Sequence, residues 1–153
     1  MASTSTFSAH SQSTQSQSIG FPAVAAPVTL LGRFLFALIF LMSAPMHFAS
    51  QTIAYAASQG VPLASIAVPL SGVMALVGGL SILLGYRFKI GAWLIVLFLA
   101  AVTPMMHHFW NVADPMMHQM QFIMFMKNLS MLGAALFISQ VGAGPWSLDA
   151  RGK

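Results

Sequence analysis

Between Pro104 and Asn128 the chain gathers His107, His108 and His118, the acid Asp114, Lys127 and more than half of its methionines. Imidazole, thioether and ammonium groups at this density open three chemistries. Soft thioethers from Met46, Met105, Met106, Met116 or Met117, combined with imidazoles from His47, His107, His108 or His118, would suit Cu(I). Against a metal, no spacing of the His-Glu-x-x-His kind occurs, and methionine also fills irregular apolar gaps. His107 or His108 with Lys127 and Asn128 would instead suit a quinone, whose carbonyl oxygens need donors inside an apolar slot and whose reduction needs a proton source near neutral pH. In the plainest reading, the imidazoles are amphipathic residues at a membrane surface and carry no chemistry.

Other chemistries are closed off by composition. The chain has no cysteine, so it forms no disulfide, anchors no iron-sulfur cluster and offers no thiol nucleophile. Asp114 and Asp149 are its only acids, and a paired-carboxylate mechanism would need Asp149 to fold back to Asp114. Gly78-Gly79 and Gly142-Ala143-Gly144 lack the spacing and strand context of a nucleotide-binding loop. Any redox chemistry must borrow a cofactor.

The elements that position these residues are membrane spans. Apolar residues make up 58% of the chain and charged ones 5%, against roughly 25% charged in soluble domains. About 20 apolar residues cross the hydrocarbon, and four stretches qualify, at 28–48, 63–85, 88–106 and 119–141. Only helices satisfy their backbone there, so the expected fold is an all-α, four-helix membrane bundle of up-down topology. Residues 1–27, rich in Ser, Thr and Gln toward the start, read as a disordered tail in which His10 is idle. They carry no cleavable signal pattern. Residues 142–153 read as a C-terminal cytoplasmic tail.

Cations set the orientation. Arg87 and Lys89 lie between spans two and three, Arg151 and Lys153 follow span four, and the other two connections hold no Lys or Arg. The positive-inside rule then makes both termini cytoplasmic and places His47, His107, His108 and His118 together at the opposite face. Arg33 reads as a snorkelling interface anchor. The scattered cations argue against nucleic acid; the expected surroundings are the lipid bilayer and either a partner redox subunit or further copies of the chain.

Helical spacing puts Met117, Met120, Gln121, Met124, Lys127, Asn128 and Met131 on one face of span four, and Phe122, Phe125, Leu129, Leu132 and Leu136 on the other. A cation this deep costs about 2.5 to 3.5 kcal/mol. Lys127 is therefore expected to face the bundle interior, with Asp114, Asn128 or carbonyls freed near Pro104 as partners. Ser71, Ala75 and Gly79 form a small-residue stripe for close helix packing. Gly32 to Pro45 and Gly91 to Pro104 have equal spacing and similar tails, an internal repeat of parallel halves.

Taken in order, Gly32-Arg33, Gly60-Val61-Pro62, Gly78-Gly79-Leu80, Leu84-Gly85, His107-His108-Phe109, Lys127-Asn128 and Gly142-Ala143-Gly144-Pro145-Trp146-Ser147-Leu148-Asp149 resemble the DoxX family. The resemblance spans Leu31 to Asp149 and implies a four-span protein of the bacterial or archaeal cytoplasmic membrane, related to subunits of quinone-linked oxidoreductases. Met74-Ala75-Leu76-Val77 stands where relatives commonly carry a glutamate, so Lys127 lacks that partner. The expectation is a partner-dependent subunit of a quinone-linked complex with an outward site of His107, His108, Lys127 and Asn128. A copper-handling protein using His47, His118, Met46, Met105, Met106 and Met117 is the first alternative. A structural or assembly protein without a site is the second.

Overall fold

The computed structural model of the protein describes residues 25–152 and is all-helical across them, without a strand. Residues 1–24 and Lys153 lie outside the described residues, and with them most of the expected tail and His10.

Four helices are long and apolar enough to cross a bilayer. They are α1 (Ala25–Ser43), α3 (Ala64–Leu84), α4 (Phe88–Met106) and α5 (Pro115–Gln140), with short helices α2 (Ser50–Ser58) and α6 (Leu148–Arg151) at the two ends. The described part of the expected 1–27 tail is already helical, because Ala25 begins α1. The first span ends in a 3-10 turn, Ala44–Phe48, where Pro45 denies the helix its next amide. α5 starts at Pro115, four residues before the expected 119, since Asp114 accepts the Met117 amide at 2.8 Å as an N-cap and proline suits the first helical position.

Neighbours in sequence pack against each other, α1 on α3, α3 on α4 and α4 on α5. The core joins Phe40 and Ala44 of the first span to Ala75 and Ile82 of α3, then to Ala92, Ile95, Phe98 and Leu99 of α4 and Ala135 of α5. α4 is the most enclosed span and α5 the least. Glycines on two faces of α3 set this spacing. A Cβ on Gly78 would lie 2.8 Å from Ile95 Cδ1, and one on Gly72 would lie 2.6 Å from His47 Cβ. Of the expected stripe, Ala75 is wholly buried and Gly79 meets Leu41 and Phe40, whereas Ser71 lines a cavity. Side chains any larger would separate backbones whose contact is the main source of cohesion between helices in lipid.

Candidate functional site at the histidine-bearing end

The two ends of the bundle differ in chemistry. Arg87, Lys89 and Arg151 mark the basic end; His47, His107, His108 and His118 mark the other, as the charge pattern predicts.

At the histidine end, the turn after α1, the short helix α2, and the neighbouring ends of α3 and α4 enclose a half-open apolar cavity of about 130 Å³. Ala56, Val61, Val68 and Val102 form apolar wall, Met105 and Met106 bring thioethers, and His47, Thr52 and Ser71 are the polar members. The His47 ring is fixed on two sides. Its Nδ1 lies 3.0 Å from the Ser43 carbonyl, and its ring meets Phe98 edge to face at 5.7 Å. A carbonyl only accepts, so Nδ1 carries a proton and donates; in the neutral tautomer this selects, Nε2 is the acceptor. Ser71 donates its hydroxyl to the Val68 carbonyl at 2.7 Å. The half-buried Thr52 hydroxyl has no protein partner among the described residues. The cavity wall thus includes an imidazole and a hydroxyl uncommitted among the described residues in an otherwise apolar lining, a pattern that fixes one end of a small apolar ligand.

The expected cluster of His107, His108, Lys127 and Asn128 does not assemble. His107 Nδ1 meets Gln121 Oε1 at 2.8 Å, which ties the end of α4 to α5. His108 Nδ1 lies 3.1 Å from the Met105 carbonyl, closing off the end of α4 locally. Lys127 is exposed, with Nζ 3.2 Å from its own neighbour Met124 Sδ. This corrects the inward lysine. Asn128 alone of that pair is buried, at 7% exposure, because successive helical residues point about 100° apart and only one of two neighbours turns inward. The inward face of α5 holds Gln121, Met124, Phe125, Asn128, Met131, Leu132, Ala135 and Ser139, so Phe125 and Leu132 belong with it and Met117 and Met120 do not. Asp114 is spent on its cap and is no partner for Lys127.

The expected thioether and imidazole donors divide in the same way. His47, Met105 and Met106 share the cavity. Met46 is 64% exposed, and Met116, Met117 and His118 lie exposed at the start of α5. His118 packs edge to face on Phe109 at 5.6 Å, within an aromatic cluster that includes Trp110, Phe122 and Phe125. No group of three His, Cys, Asp or Glu residues that could hold a metal occurs among the described residues.

The basic end is closed by the C-terminal segment, which is ordered through α6 rather than trailing away. Arg33 is 4% exposed, not snorkelling: it donates from Nη1 to the Ala143 carbonyl at 3.0 Å and from Nη2 to the Trp146 carbonyl. Asp149 accepts the Arg87 and Phe88 amides at 2.9 and 3.0 Å, capping α4, while its own amide donates to the Gly85 carbonyl at 2.9 Å. Gly85 makes this possible. Its φ of +63° ends α3 in the left-handed region, and a Cβ there would strike Arg33 Nη1 and Ser147. Asp149 is thus fixed at the end opposite Asp114, which removes the paired-carboxylate option.

Sequence reasoning missed Thr52 and α2. The Ser50–Ser58 stretch is too short and too mixed to stand out from a loop, and Thr52 gains meaning only because α2 folds over the cavity.

The comparisons with known proteins replace the DoxX resemblance. Residues 28–153 match the model of the SURF4 family. The chain is 29% identical over 133 residues to the inner membrane protein YphA of Escherichia coli strain K12, covering 86% of this chain and 94% of that protein. No solved structure matches. The motifs that carried the resemblance are parts of closures and close contacts: Gly85, Arg33 and Asp149 lock the basic end, and Gly78 and Gly79 admit neighbouring helices. Such parts report how apolar helices are held together, not what the protein does. This integral membrane protein belongs to the SURF4 family.

Proposed function

We propose that the protein is a non-catalytic subunit of the bacterial cytoplasmic membrane that holds the ring of an isoprenoid quinone or quinol in the His47 cavity and presents it to a membrane redox partner. One observation carries this reading: His47, its Nδ1 committed to the Ser43 carbonyl, and Thr52, its hydroxyl without a partner among the described residues, line an otherwise apolar cavity. A quinol hydroxyl would donate to the neutral His47 ring, a quinone carbonyl would accept from the Thr52 hydroxyl, and Ala, Val and Met side chains would bury the ring in either form. By the positive-inside rule the basic end is cytoplasmic and the cavity faces outward.

The position of Lys127 supports a partner. It stands twelve residues after the Pro115 start of α5, about 18 Å along the helix axis at 1.5 Å per residue, too deep to reach water by snorkelling. Exposed there, its ammonium costs about 2.5 to 3.5 kcal/mol unless a neighbouring protein supplies an acceptor. A second copy has no acid at that depth, since Asp114 and Asp149 lie at opposite ends. A different subunit with an intramembrane carboxylate answers the charge.

The test is quinone analysis of protein purified in mild detergent. Wild-type protein is expected to retain quinone in proportion to chain, and Thr52→Val and His47→Ala to lose most of it while remaining folded. Equal retention by all three would refute the assignment.

A second reading has its own observation: His47, Met105 and Met106 line one cavity, and an imidazole with two thioethers is a Cu(I) donor set. Leucine at 105 and 106 would abolish Cu(I) retention under this reading and leave quinone retention intact under the first. Thr52→Val would do the reverse.

A further inference from the structure

At the basic end, a second cavity of about 430 Å³ lies between α1, α3 and the C-terminal segment, lined by Leu30, Leu84, Arg33, Arg151, Trp146 and Ser147 among others. Two arginines line this cavity, and among the described residues no carboxylate lines it with them. Asp149 is occupied by the Arg87 and Phe88 amides, and Asp114 is at the far end of the bundle. The Ala143 and Trp146 carbonyls satisfy two donors of Arg33, but they are dipoles and leave the positive charge standing. Arg33 Nε is buried and has no acceptor among the described residues. A guanidinium that is 4% exposed and lacks a counter-ion among those residues is a strong attractor for an anion, because the low local dielectric that makes it costly alone makes it valuable when paired.

The walls indicate which anion. Leu30 and Leu84 add apolar wall, Leu84 and Trp146 are 50% and 59% exposed, and Arg151 is exposed. Tryptophan is typical of the membrane interface, and basic pockets between helices on this side of a membrane take phosphate-bearing headgroups. A free phosphate would use the arginines and leave the leucine wall idle; a phospholipid uses both.

We propose that the Arg33–Arg151 cavity is a binding site for an anionic phospholipid, whose phosphate is held by the two guanidinium groups and whose apolar part lies against the leucine wall. The bound lipid supplies the counter-charge that the described residues lack in this cavity and ties the C-terminal segment to the membrane surface.

The experiment is native mass spectrometry of the full chain from mild detergent, with phosphatidylglycerol and phosphatidylcholine added in equal amounts and inorganic phosphate as competitor. Wild-type protein is expected to prefer phosphatidylglycerol, and Arg151→Ala, which leaves the Arg33 bonds to the C-terminal carbonyls in place, to weaken that preference about fivefold, the worth of one interfacial arginine. Millimolar inorganic phosphate is expected not to displace the lipid. Equal retention of the two lipids, or an unchanged preference in Arg151→Ala with folded protein, overturns the site. Displacement by inorganic phosphate overturns the lipid and leaves a free-anion site.

Discussion

The two ends of the bundle solve opposite problems. At the basic end, distant parts of the chain lock together: Arg33 reaches across to Ala143 and Trp146, and Asp149 reaches back to Arg87 and Phe88. At the histidine end most polar groups are satisfied close by in sequence, His47 by Ser43, His108 by Met105 and Ser71 by Val68, with His107 to Gln121 as the longer tie. Long-range polar bonds hold the first end shut. Local bonds leave the second a half-open cavity with polarity to spare. The difference teaches that the residue types do not reveal by themselves which polar groups build the protein and which remain for a ligand. Asp149 at the basic end is spent on capping α4, while Thr52 at the other has a hydroxyl without a partner among the described residues.

Mutations that attack the lock should have the largest effects on stability. Gly85→Ala forces a side chain into the left-handed region and against Arg33 and Ser147; a loss of about 2 to 4 kcal/mol is expected from strain and crowding together. Thermal unfolding in detergent, with protease sensitivity of the C-terminal segment, measures it. A stable Gly85→Ala protein with a protected C-terminus would erase the contrast between the ends. Asp149→Asn keeps the shape but removes the charge from the α4 cap. About 1 to 2 kcal/mol should be lost, read by the same unfolding assay.

At the histidine end, function should suffer before stability. Gly72→Ala places a methyl group 2.6 Å from His47 Cβ, so the turn must shift. The expected stability cost is about 1 to 2 kcal/mol, accompanied by loss of most ligand retention; unfolding with intact retention would show that His47 is packing alone. Lys127→Leu is expected to have the smallest effect on the isolated chain, within about 0.5 kcal/mol of wild type and with ligand retention unchanged. A large destabilisation measured on the purified chain would return the lysine to the interior.

Much of the architecture was legible in residue order. Span count follows from hydropathy, and the separation of Arg87, Lys89 and Arg151 from the histidines follows from the antiparallel order of the spans. The α5 face was half legible. Asn128 is buried as its pattern suggests, but Lys127 beside it turns outward, because α5 carries apolar residues on all sides and leaves no clean boundary between its faces. A cation near a helix start normally reaches water, so by its position Arg33 reads as an anchor. Nothing local indicates that carbonyls more than a hundred residues away will meet it.

Sequence alone determined that this chain lives in a bilayer as four helices and that imidazole and guanidinium chemistry fall at opposite ends. These properties depend on apolar length and charge placement, which each segment carries by itself. Tertiary structure decided which histidine faces a cavity, that Thr52 keeps an unpartnered hydroxyl, that Lys127 looks outward and that the C-terminal segment closes the basic end. Those outcomes depend on rotation of each helix about its axis and on contacts between residues far apart in the chain, and both are fixed only when the helices pack.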